Sequence, residues 1–269
     1  MKFKERPIGV FDSGIGGLTV FAALRRRMPA EDLVYFGDTA RVPYGSKSAD
    51  TVTRYSLDVA RFLAARRVKA LVIACNTSSA LALSEVKDAV DMPVLGVIEP
   101  GARAAAAATR SGRVGIIGTE ATIASQAYSR ALRQFIPGVK ITAQACPLFV
   151  PLVEEGWWRH PVALAVAREY LASARKARLD ALILGCTHYP LLKSVIARVM
   201  GPSVKLIDSA EQTALETEEL LENLKLRRSS GRGTSQFFVS DGPARFQKLA
   251  RRFLKIRVPE SAVAVHRFE

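Results

Sequence analysis

The sequence has few of the residues that cross-link small proteins or bind metal ions. Its 269 residues include three histidines and three cysteines, the latter being Cys75, Cys146 and Cys186. The number of cysteines is odd and no CxxC pair occurs, which argues against a disulfide framework and against a zinc knuckle. Each thiol therefore needs an explanation of its own.

Long hydrophobic runs are absent as well. No segment reaches about 20 uninterrupted apolar residues. The charged N-terminus, MKFKERPIGVFDSG, contains only a short run that resembles a strand. We therefore expect a soluble cytoplasmic protein that does not contact a membrane.

Acidic residues are outnumbered: 25 aspartates and glutamates stand against 39 lysines and arginines, a formal net charge of +14. Such an excess suits an anionic ligand or a nucleic acid. The basic residues are scattered along helical stretches such as RYSLDVARFLAARRVK at 54–69, and aromatic residues do not interleave with them as a stacking platform needs. Nucleic-acid binding is therefore kept only as an alternative.

The sequence does contain a regular alternation of short apolar runs and amphipathic stretches. With 49% hydrophobic residues, the chain can bury a substantial core. The alternation predicts an α/β fold of parallel sheets with helices on both faces. The predicted strands lie at 7–11, 33–36, 69–74, 92–98, 113–118, 180–185, 204–208 and 236–240. Ser209 followed by Gln212 has the spacing of a capping box at the start of a helix.

One cysteine-bearing segment occurs twice. LVIACNTSSAL at 71–81 and LILGCTHYPLL at 182–192 each run from an apolar strand through a cysteine towards a helix start. Upstream of them, IGVFDSGIGGLTV at 8–20 and VGIIGTEATIAS at 114–125 form a second matching pair. Because ligands collect at the carboxyl ends of parallel strands, two such halves facing each other would present both cysteines to one cleft. Chance similarity between recurrent βα units is the alternative.

The glycine-rich turn DSGIGG at 12–17 does not match a nucleotide-binding fingerprint. Counted from Gly14, the sixth position is Thr19 rather than glycine, and no GK[ST] of the P-loop type follows. The glycines either let backbone amides approach a carboxylate or only form a tight turn. Asp12 at the strand end is either a helix cap or an acid/base helper, and its position alone favours the cap.

The loop GDTARVPYGSKS at 37–48 follows a predicted strand, where functional loops lie in this architecture. Tyr44 and Gly45 are candidates to give a hydroxyl and a backbone amide to a ligand. An ordinary surface loop is the alternative.

Cys75 and Cys186 carry the strongest chemical signal. Cys146 fits a buried apolar thiol, whereas the other two follow strands and adjoin polar residues. A helix N-terminus lowers the pKa of a thiol from about 8.5 towards neutrality. One ionised and one protonated thiol on opposite faces of a carbon stereocentre can invert it by proton transfer. Metal ligation is the competing interpretation, which His160, His188 and His266 support poorly as a closed zinc site.

Six motifs follow one another in the sequence: FDSGIGGLTV, YFGDTARVPYGSKS, IACNTSSA, EPGARAA, CPLFVPLVEEG and LGCTHYPLL. In this combination the chain resembles the bacterial glutamate racemases of the aspartate/glutamate racemase superfamily. The motifs extend over residues 11–192, and SDGPARF at 240–246 resembles the family's tail. The resemblance therefore covers most of the chain.

The resemblance implies a racemase that needs no cofactor. It would interconvert L-glutamate and D-glutamate through two bases at the α-carbon and supply D-glutamate for peptidoglycan in the bacterial cytoplasm. The implied α/β fold has two pseudosymmetric lobes, each a mainly parallel sheet flanked by helices, with the active site in the cleft between them. The expected lobes are residues 1–98 with 208–269, and residues 99–207.

The family motifs also imply roles for individual residues. The two bases fall on Cys75 and Cys186, assisted by Asp12 and His188, with Glu154 in a supporting role. The implied substrate contacts are Asp12, Ser13, Tyr44, Gly45, Asn76, Thr77, Thr119, Thr122, Thr187 and His188. No metal is implied, and no lysine motif for a pyridoxal phosphate Schiff base stands out.

Three alternatives stay open at this point. A racemase of aspartate or another acidic amino acid differs by one methylene, which changes affinity in a pocket by only about 1–3 kcal/mol. A thiol-dependent hydrolase or lyase would use one cysteine with His188. A basic nucleic-acid-binding protein would show strongly salt-dependent affinity. The expected partners are a small-molecule substrate and, by default, a second copy in a homodimer.

Overall fold

A computed structural model describes residues 3–254 and 258–268. Within these residues ten strands form two sheets, and all strand pairs are parallel. In chain order the strands are β1 (Ile8–Asp12), β2 (Leu33–Gly37), β3 (Ala70–Ile73), β4 (Val94–Gly96), β5 (Arg113–Gly118), β6 (Lys140–Ala145), β7 (Ala181–Gly185), β8 (Lys205–Ile207), β9 (Ser235–Val239) and β10 (Val263–Val265).

Helices connect most of these strands. The α-helices are α1 (Leu18–Arg27), α2 (Ala49–Ala65), α3 (Asn76–Leu81), α4 (Leu83–Ala89), α5 (Ile98–Ala108), α6 (Glu120–Ala124), α7 (Ala127–Phe135), α8 (Phe149–Glu154), α9 (Pro161–Tyr170), α10 (Ala172–Lys176), α11 (Lys193–Met200), α12 (Ser209–Asn223) and α13 (Pro243–Leu254). Short 3₁₀ helices lie at Phe3–Glu5, Tyr44–Ser46, Tyr189–Leu192 and Glu260–Ala262. In the described ranges, no helix combines the length and the apolar character needed to cross a bilayer.

The chain builds one sheet, then the other, and then returns to the first. The six-stranded sheet has the order β10–β9–β2–β1–β3–β4, and the four-stranded sheet has the order β6–β5–β7–β8. We call the first sheet with its flanking helices the first lobe and the second sheet with its helices the second lobe. The two-lobed α/β fold class is confirmed. The boundaries near residues 98 and 208 stay a prediction.

Away from the edge strands, both faces of each sheet are buried, which explains why the inner strands have continuous apolar sequences. Along β1, Val10 packs with residues of α1, while Phe11 packs on the opposite face with residues of α2. Along β7, Leu182 and Ile183 likewise belong to different core clusters. Successive side chains of a strand point to opposite faces. Each sheet therefore needs helices on both sides, as the alternation predicts.

All eight predicted strands are present, and the structure adds two strands that the pattern does not predict. These two, β6 and β10, lie at sheet edges and are partly exposed. Neither therefore needs an uninterrupted apolar run.

The capping-box prediction for α12 is wrong. The helix begins at Ser209, but its N-cap is Asp208, whose Oδ1 accepts a hydrogen bond of 3.0 Å from the backbone N–H of Ala210. The helix is therefore capped by the residue before the predicted serine, since aspartate is as good an N-cap as serine.

Candidate active site

The two cysteine segments end at the same cavity. Cys75 follows β3 and is the N-cap of α3, whereas Cys186 directly follows β7. The two strands belong to different sheets, yet both thiols line one cavity between the lobes and both are buried. The structure thus brings together the two thiols that the internal repeat singles out.

Most of the residues implied by the family motifs line the same cavity. They are Ser13, Tyr44, Gly45, Asn76, Thr77, Thr119, Glu154, Thr187 and His188. Asp12 and Thr122 are buried behind this wall, where they contact Thr187 and Thr77 respectively. The wall also contains three apolar residues that the motifs did not assign, namely Val42, Pro43 and Val150. All three belong to quoted motifs, YFGDTARVPYGSKS and CPLFVPLVEEG, but only the fold turns them inwards.

Cys75 lies in a buried setting at the start of α3. The backbone N–H of Ser78 donates to its sulfur at 3.4 Å, and the thiol itself lies 3.7 Å from the Ser13 hydroxyl. Burial, and then the nearby Asp12 carboxylate, raise the pKa of Cys75 to about 11. The expected lowering of this pKa by a helix N-terminus is therefore wrong here, because desolvation outweighs the single backbone hydrogen bond.

Asp12 is fully buried at the end of β1. Its carboxylate accepts hydrogen bonds from the backbone N–H of Gly14 at 3.0 Å and from the Thr187 hydroxyl at 3.4 Å. Burial raises the pKa of Asp12, and the charge of His188 opposes that rise. The favoured interpretation as a helix cap is wrong, because the N-cap of α1 is Gly17 with no side-chain hydrogen bond. Asp12 instead joins the turn after β1 to the second lobe.

A chain of polar side chains begins at Cys186. Its sulfur lies 3.9 Å from Nδ1 of His188, and Nε2 of His188 lies 3.3 Å from Oε1 of Glu154. Burial lowers the pKa of His188, but the contacts with Cys186 and Glu154 raise it overall to about 10. Burial raises the pKa of Glu154, but its hydrogen bond to His188 and the charges of His188 and Arg245 together lower it overall. A protonated His188 therefore places positive charge beside the Cys186 sulfur.

Arg245 extends this chain from the first lobe. Its Nη2 lies 3.1 Å from Oε2 of Glu154, so a residue of α13 contacts a residue of α8 in the second lobe. Arg245 belongs to the motif SDGPARF, but the motif by itself indicates no role for the arginine. Because Arg245 and Glu154 are far apart in the sequence, no local pattern predicts this contact.

Three threonine hydroxyls meet across the cleft. Thr77 lies 2.9 Å from Thr119 and 3.2 Å from Thr122, and the last two lie 2.9 Å apart. Thr119 also caps α6 by accepting from the backbone N–H of Thr122. The cluster links the start of α3 to the start of α6, one in each lobe.

Tyr44 and Gly45 approach the cavity from the loop after β2. The Tyr44 hydroxyl donates a hydrogen bond to Oδ2 of Asp38. The phenol ring forms part of the cavity wall, but its oxygen already has a hydrogen-bond partner. Asp38 was not a candidate from the sequence. Gly45 packs closely against Thr119, since a Cβ added to it would lie 2.5 Å from the Cβ of that residue.

The turn after β1 touches the other cysteine segment directly. A Cβ added at Gly16 would lie 2.2 Å from Oγ1 of Thr187 and 2.6 Å from Nδ1 of His188. Only a residue without a side chain permits this approach. The glycines of DSGIGG therefore do more than form a turn, because one of them lets the two lobes meet.

The remaining cysteine and histidines lie elsewhere. Cys146 is fully buried in the apolar core of the second lobe. His160 caps α9 by accepting from the backbone N–H of Val162 at 3.2 Å, and the ring of His266 packs at a tilt against that of Phe62. Within the described ranges, no three histidine, cysteine or acidic residues are grouped to hold a metal ion.

Comparison with known proteins agrees with this geometry. The sequence profile of the Asp/Glu/Hydantoin racemase family matches residues 8–217, a span that includes both cysteine segments. The chain belongs to this racemase family.

Individual relatives match over nearly the whole chain. The glutamate racemase of Geobacter metallireducens is 56% identical over 250 residues, 93% of each chain. Among solved structures, glutamate racemase from Francisella tularensis in complex with D-glutamate has 39% identity and a TM-score of 0.91, and covers 98% of each chain. Glutamate racemase from Thermus thermophilus in complex with β-chloro-D-alanine has 50% identity and a TM-score of 0.88, again over 98% of each chain.

For a member of this racemase family, the cavity has the parts that a two-base reaction needs. One thiol comes from each lobe, and each has different neighbours: Asp12 and Ser13 near Cys75, and His188 near Cys186. The Asn76 amide and several hydroxyls supply hydrogen-bonding groups on the wall.

Proposed function

We propose that this protein interconverts L-glutamate and D-glutamate by proton transfer at the α-carbon, with Cys75 and Cys186 as the two bases and no cofactor. The observation that carries the proposal is that one cysteine from each lobe, each of them buried, lines a single cavity. The names of the relatives support glutamate as the substrate. As the resemblance of the motifs implies, we assign the product D-glutamate to peptidoglycan synthesis in the bacterial cytoplasm.

In each turnover, one ionised sulfur takes the α-proton and the Cα–H electron pair stays on carbon. The other thiol then gives its proton to the opposite face of the α-carbon. The first sulfur ends protonated and the second ionised, so the roles are reversed for the opposite direction. Enzyme and substrate together hold the same number of protons before and after the reaction.

The neighbours of each thiol explain how these states are supported. Positive charge on His188, held by Glu154, stabilises a thiolate at Cys186. Asp12 lies near Cys75 and near His188, where its carboxylate can move or stabilise a proton as the charge of the pair changes. We assign Cys75, Cys186, Asp12, His188 and Glu154 to the proton-transfer machinery.

We assign the polar residues in and behind the cavity wall to substrate binding, with Asp12 and His188 serving both purposes. The α-proton of an amino acid is much less acidic than a thiol, so the carboxylate and ammonium groups must be held by preorganised partners. Each such donor can be worth roughly 3 kcal/mol in the transition state. The assigned contacts are Asp12, Ser13, Tyr44, Gly45, Asn76, Thr77, Thr119, Thr122, Thr187 and His188.

The test is racemisation of L-glutamate in heavy water by purified protein without added pyridoxal phosphate. Optical rotation should fall to zero while deuterium enters the α-position. Cys75→Ala and Cys186→Ala should each abolish racemisation, and each should exchange the α-proton of at most one enantiomer. Cys146→Ala is the matched control, because it also removes a buried thiol but leaves the cavity wall intact; it should still racemise glutamate.

The outcomes separate the alternatives. If aspartate racemises and glutamate does not, only the substrate assignment is wrong. If one cysteine variant keeps full activity, the two-base mechanism fails and a single-thiol reaction takes its place. If neither amino acid exchanges its α-proton, the proposed function fails.

A further inference from the structure

Tyr128 lies between the two cysteine segments, although no motif drew attention to it. It belongs to α7 in the second lobe and is buried. Its hydroxyl donates a hydrogen bond of 2.7 Å to Oδ1 of Asn76, the residue that follows Cys75 in the first lobe. This contact crosses the cleft within the core of the molecule.

The ring of Tyr128 also packs against the second cysteine segment. A Cβ added at Gly185, the residue before Cys186, would lie 3.1 Å from Cε2 of the ring. Because Gly185 has no side chain, the ring can approach β7 closely. One side chain thus touches the residue after one cysteine and the residue before the other.

The hydrogen bond determines which way the Asn76 amide points. Because Oδ1 accepts from Tyr128, Nδ2 is directed elsewhere, and it is buried with no hydrogen-bond partner among the described residues. Asn76 lines the cavity that holds both thiols. A buried amide nitrogen without a partner is unfavourable, and a ligand oxygen in the cavity would satisfy it.

The surroundings of the phenol favour donation by Tyr128 rather than acceptance. Burial raises the pKa of Tyr128, and a hydrogen bond from the Ser209 side chain opposes that rise. A hydroxyl donated to the phenol oxygen occupies its acceptor side, so the phenol proton is free for Asn76. The amide orientation is thus set by a residue that does not line the cavity.

We propose that Tyr128 is a positioning residue that holds the Asn76 amide with Nδ2 towards the cavity, as the donor to a carboxylate oxygen of the substrate. The inference rests on the proposed function for the identity of that substrate. It assigns Tyr128 no contact with the reacting atoms.

The first test is Tyr128→Phe, which keeps the ring against Gly185 and removes only the hydroxyl. A freed amide can rotate and present its oxygen to the carboxylate, so we expect kcat/KM for either enantiomer to fall about tenfold or more. Most of the change should lie in KM, because the donor binds the carboxylate before and during proton transfer. Kinetics with wild-type KM would overturn the proposal.

A double-mutant cycle decides whether the hydroxyl acts through Asn76. If it does, Asn76→Ala with Tyr128→Phe should have the same kcat/KM as Asn76→Ala alone, within about twofold. Tyr189→Phe is the control, since this buried hydroxyl donates to the backbone carbonyl of Cys146 at 2.8 Å instead. Its effect should multiply with that of Asn76→Ala. If the effect of Tyr128→Phe also multiplies with that of Asn76→Ala, the hydroxyl does not act through Asn76 and its role is merely structural.

A measurement without turnover separates this inference from the proposed function. The side-chain NH₂ resonances of Asn76, identified by their loss in Asn76→Ala, should shift in Tyr128→Phe and stay in place in Tyr189→Phe. If wild-type protein fails to racemise glutamate, the proposed function fails and this spectrum alone decides the positioning role. Unchanged Asn76 resonances in Tyr128→Phe would overturn it.

Discussion

At the scale of single residues, the two thiols differ mainly in the charges beside them. Asp12 places negative charge near Cys75, whereas His188 places positive charge beside Cys186. Similar sequence segments have therefore produced chemically unlike surroundings. The difference comes from Asp12, at the end of the neighbouring strand β1 in the same lobe as Cys75, and from His188, in the turn that follows Cys186. It gives two predictions.

The raised pKa of His188 predicts a pH dependence of stability. Since the native state keeps this proton up to about pH 10 and the unfolded state loses it near 6.5, the stabilisation is complete below about 6.5. It is lost as the pH rises towards 10. Urea unfolding at about pH 6, 8 and 10 should show a falling free energy of unfolding, with a shallower fall in His188→Gln. Equal slopes in the two proteins would contradict the assignment.

Arg245→Gln should weaken the support of His188 by Glu154. Without the arginine charge the pKa of Glu154 rises, so the acid limb of the pH–kcat profile should move to higher pH. Because Arg245 is 66% exposed, the loss in kcat near neutrality should be small, about two- to fivefold. Arg103→Gln, which breaks exposed pairs with Glu99 and Glu216, should leave the profile unchanged. A shift in both variants would indicate a general effect of net charge.

At the scale of elements, short turns decide how closely the lobes meet. The turn between β1 and α1 contacts the second cysteine segment through Gly16. The start of α3 meets the start of α6 through the threonine hydroxyls. These contacts involve strand ends and helix starts rather than helix faces, so small changes in the turns should reach the cavity directly.

Gly16→Ala should reduce racemisation far more than it reduces stability. The added methyl group would overlap Thr187 and His188, which must move. Displacing reacting groups by about 1 Å can cost about a hundredfold in rate, so we expect a loss of that order in kcat. Gly14→Ala is the graded control, because its nearest neighbour is Cγ1 of Val42 at 3.1 Å. Similar kinetics for the two variants would contradict this account.

At the scale of the whole molecule, a buried ion pair ties distant segments together at the other ends of the strands. Nζ of Lys69 lies 2.5 Å from Oε2 of Glu31, and both side chains are fully buried. The lysine also donates to the carbonyl oxygens of Lys4 and Leu226, while Glu31 accepts from the backbone N–H of Arg228. The pair thus joins the first sheet to the segment that returns from α12.

Glu31→Gln should destabilise the fold while leaving the cavity intact. It leaves Lys69 buried without its counter-ion, which typically costs about 3–5 kcal/mol in the free energy of unfolding. Glu211→Gln, which removes an exposed partner of Arg26, should change that free energy by no more than about 0.5 kcal/mol. Urea denaturation measures both, and racemisation below the melting transition should be retained. A loss below about 1 kcal/mol would show that the pair is replaceable.

The sequence by itself determined the strands that are buried on both faces and the family. A strand covered by helices on both sides must be apolar throughout, so its run is visible without the structure. The cysteine segments follow such strands, and the motifs around them name most of the cavity wall. The edge strands β6 and β10 were not predicted, because they are partly exposed and are not apolar throughout.

Only the tertiary structure decided which groups meet across the cleft. Arg245 with Glu154, Tyr128 with Asn76, and Gly16 with Thr187 are all contacts between residues far apart in the chain. The raised pKa of Cys75 belongs here too, because burial and Asp12 cause it rather than the local helix start. Local patterns predict which residues end a strand, but distances, desolvation and hydrogen-bond partners depend on how the lobes pack together.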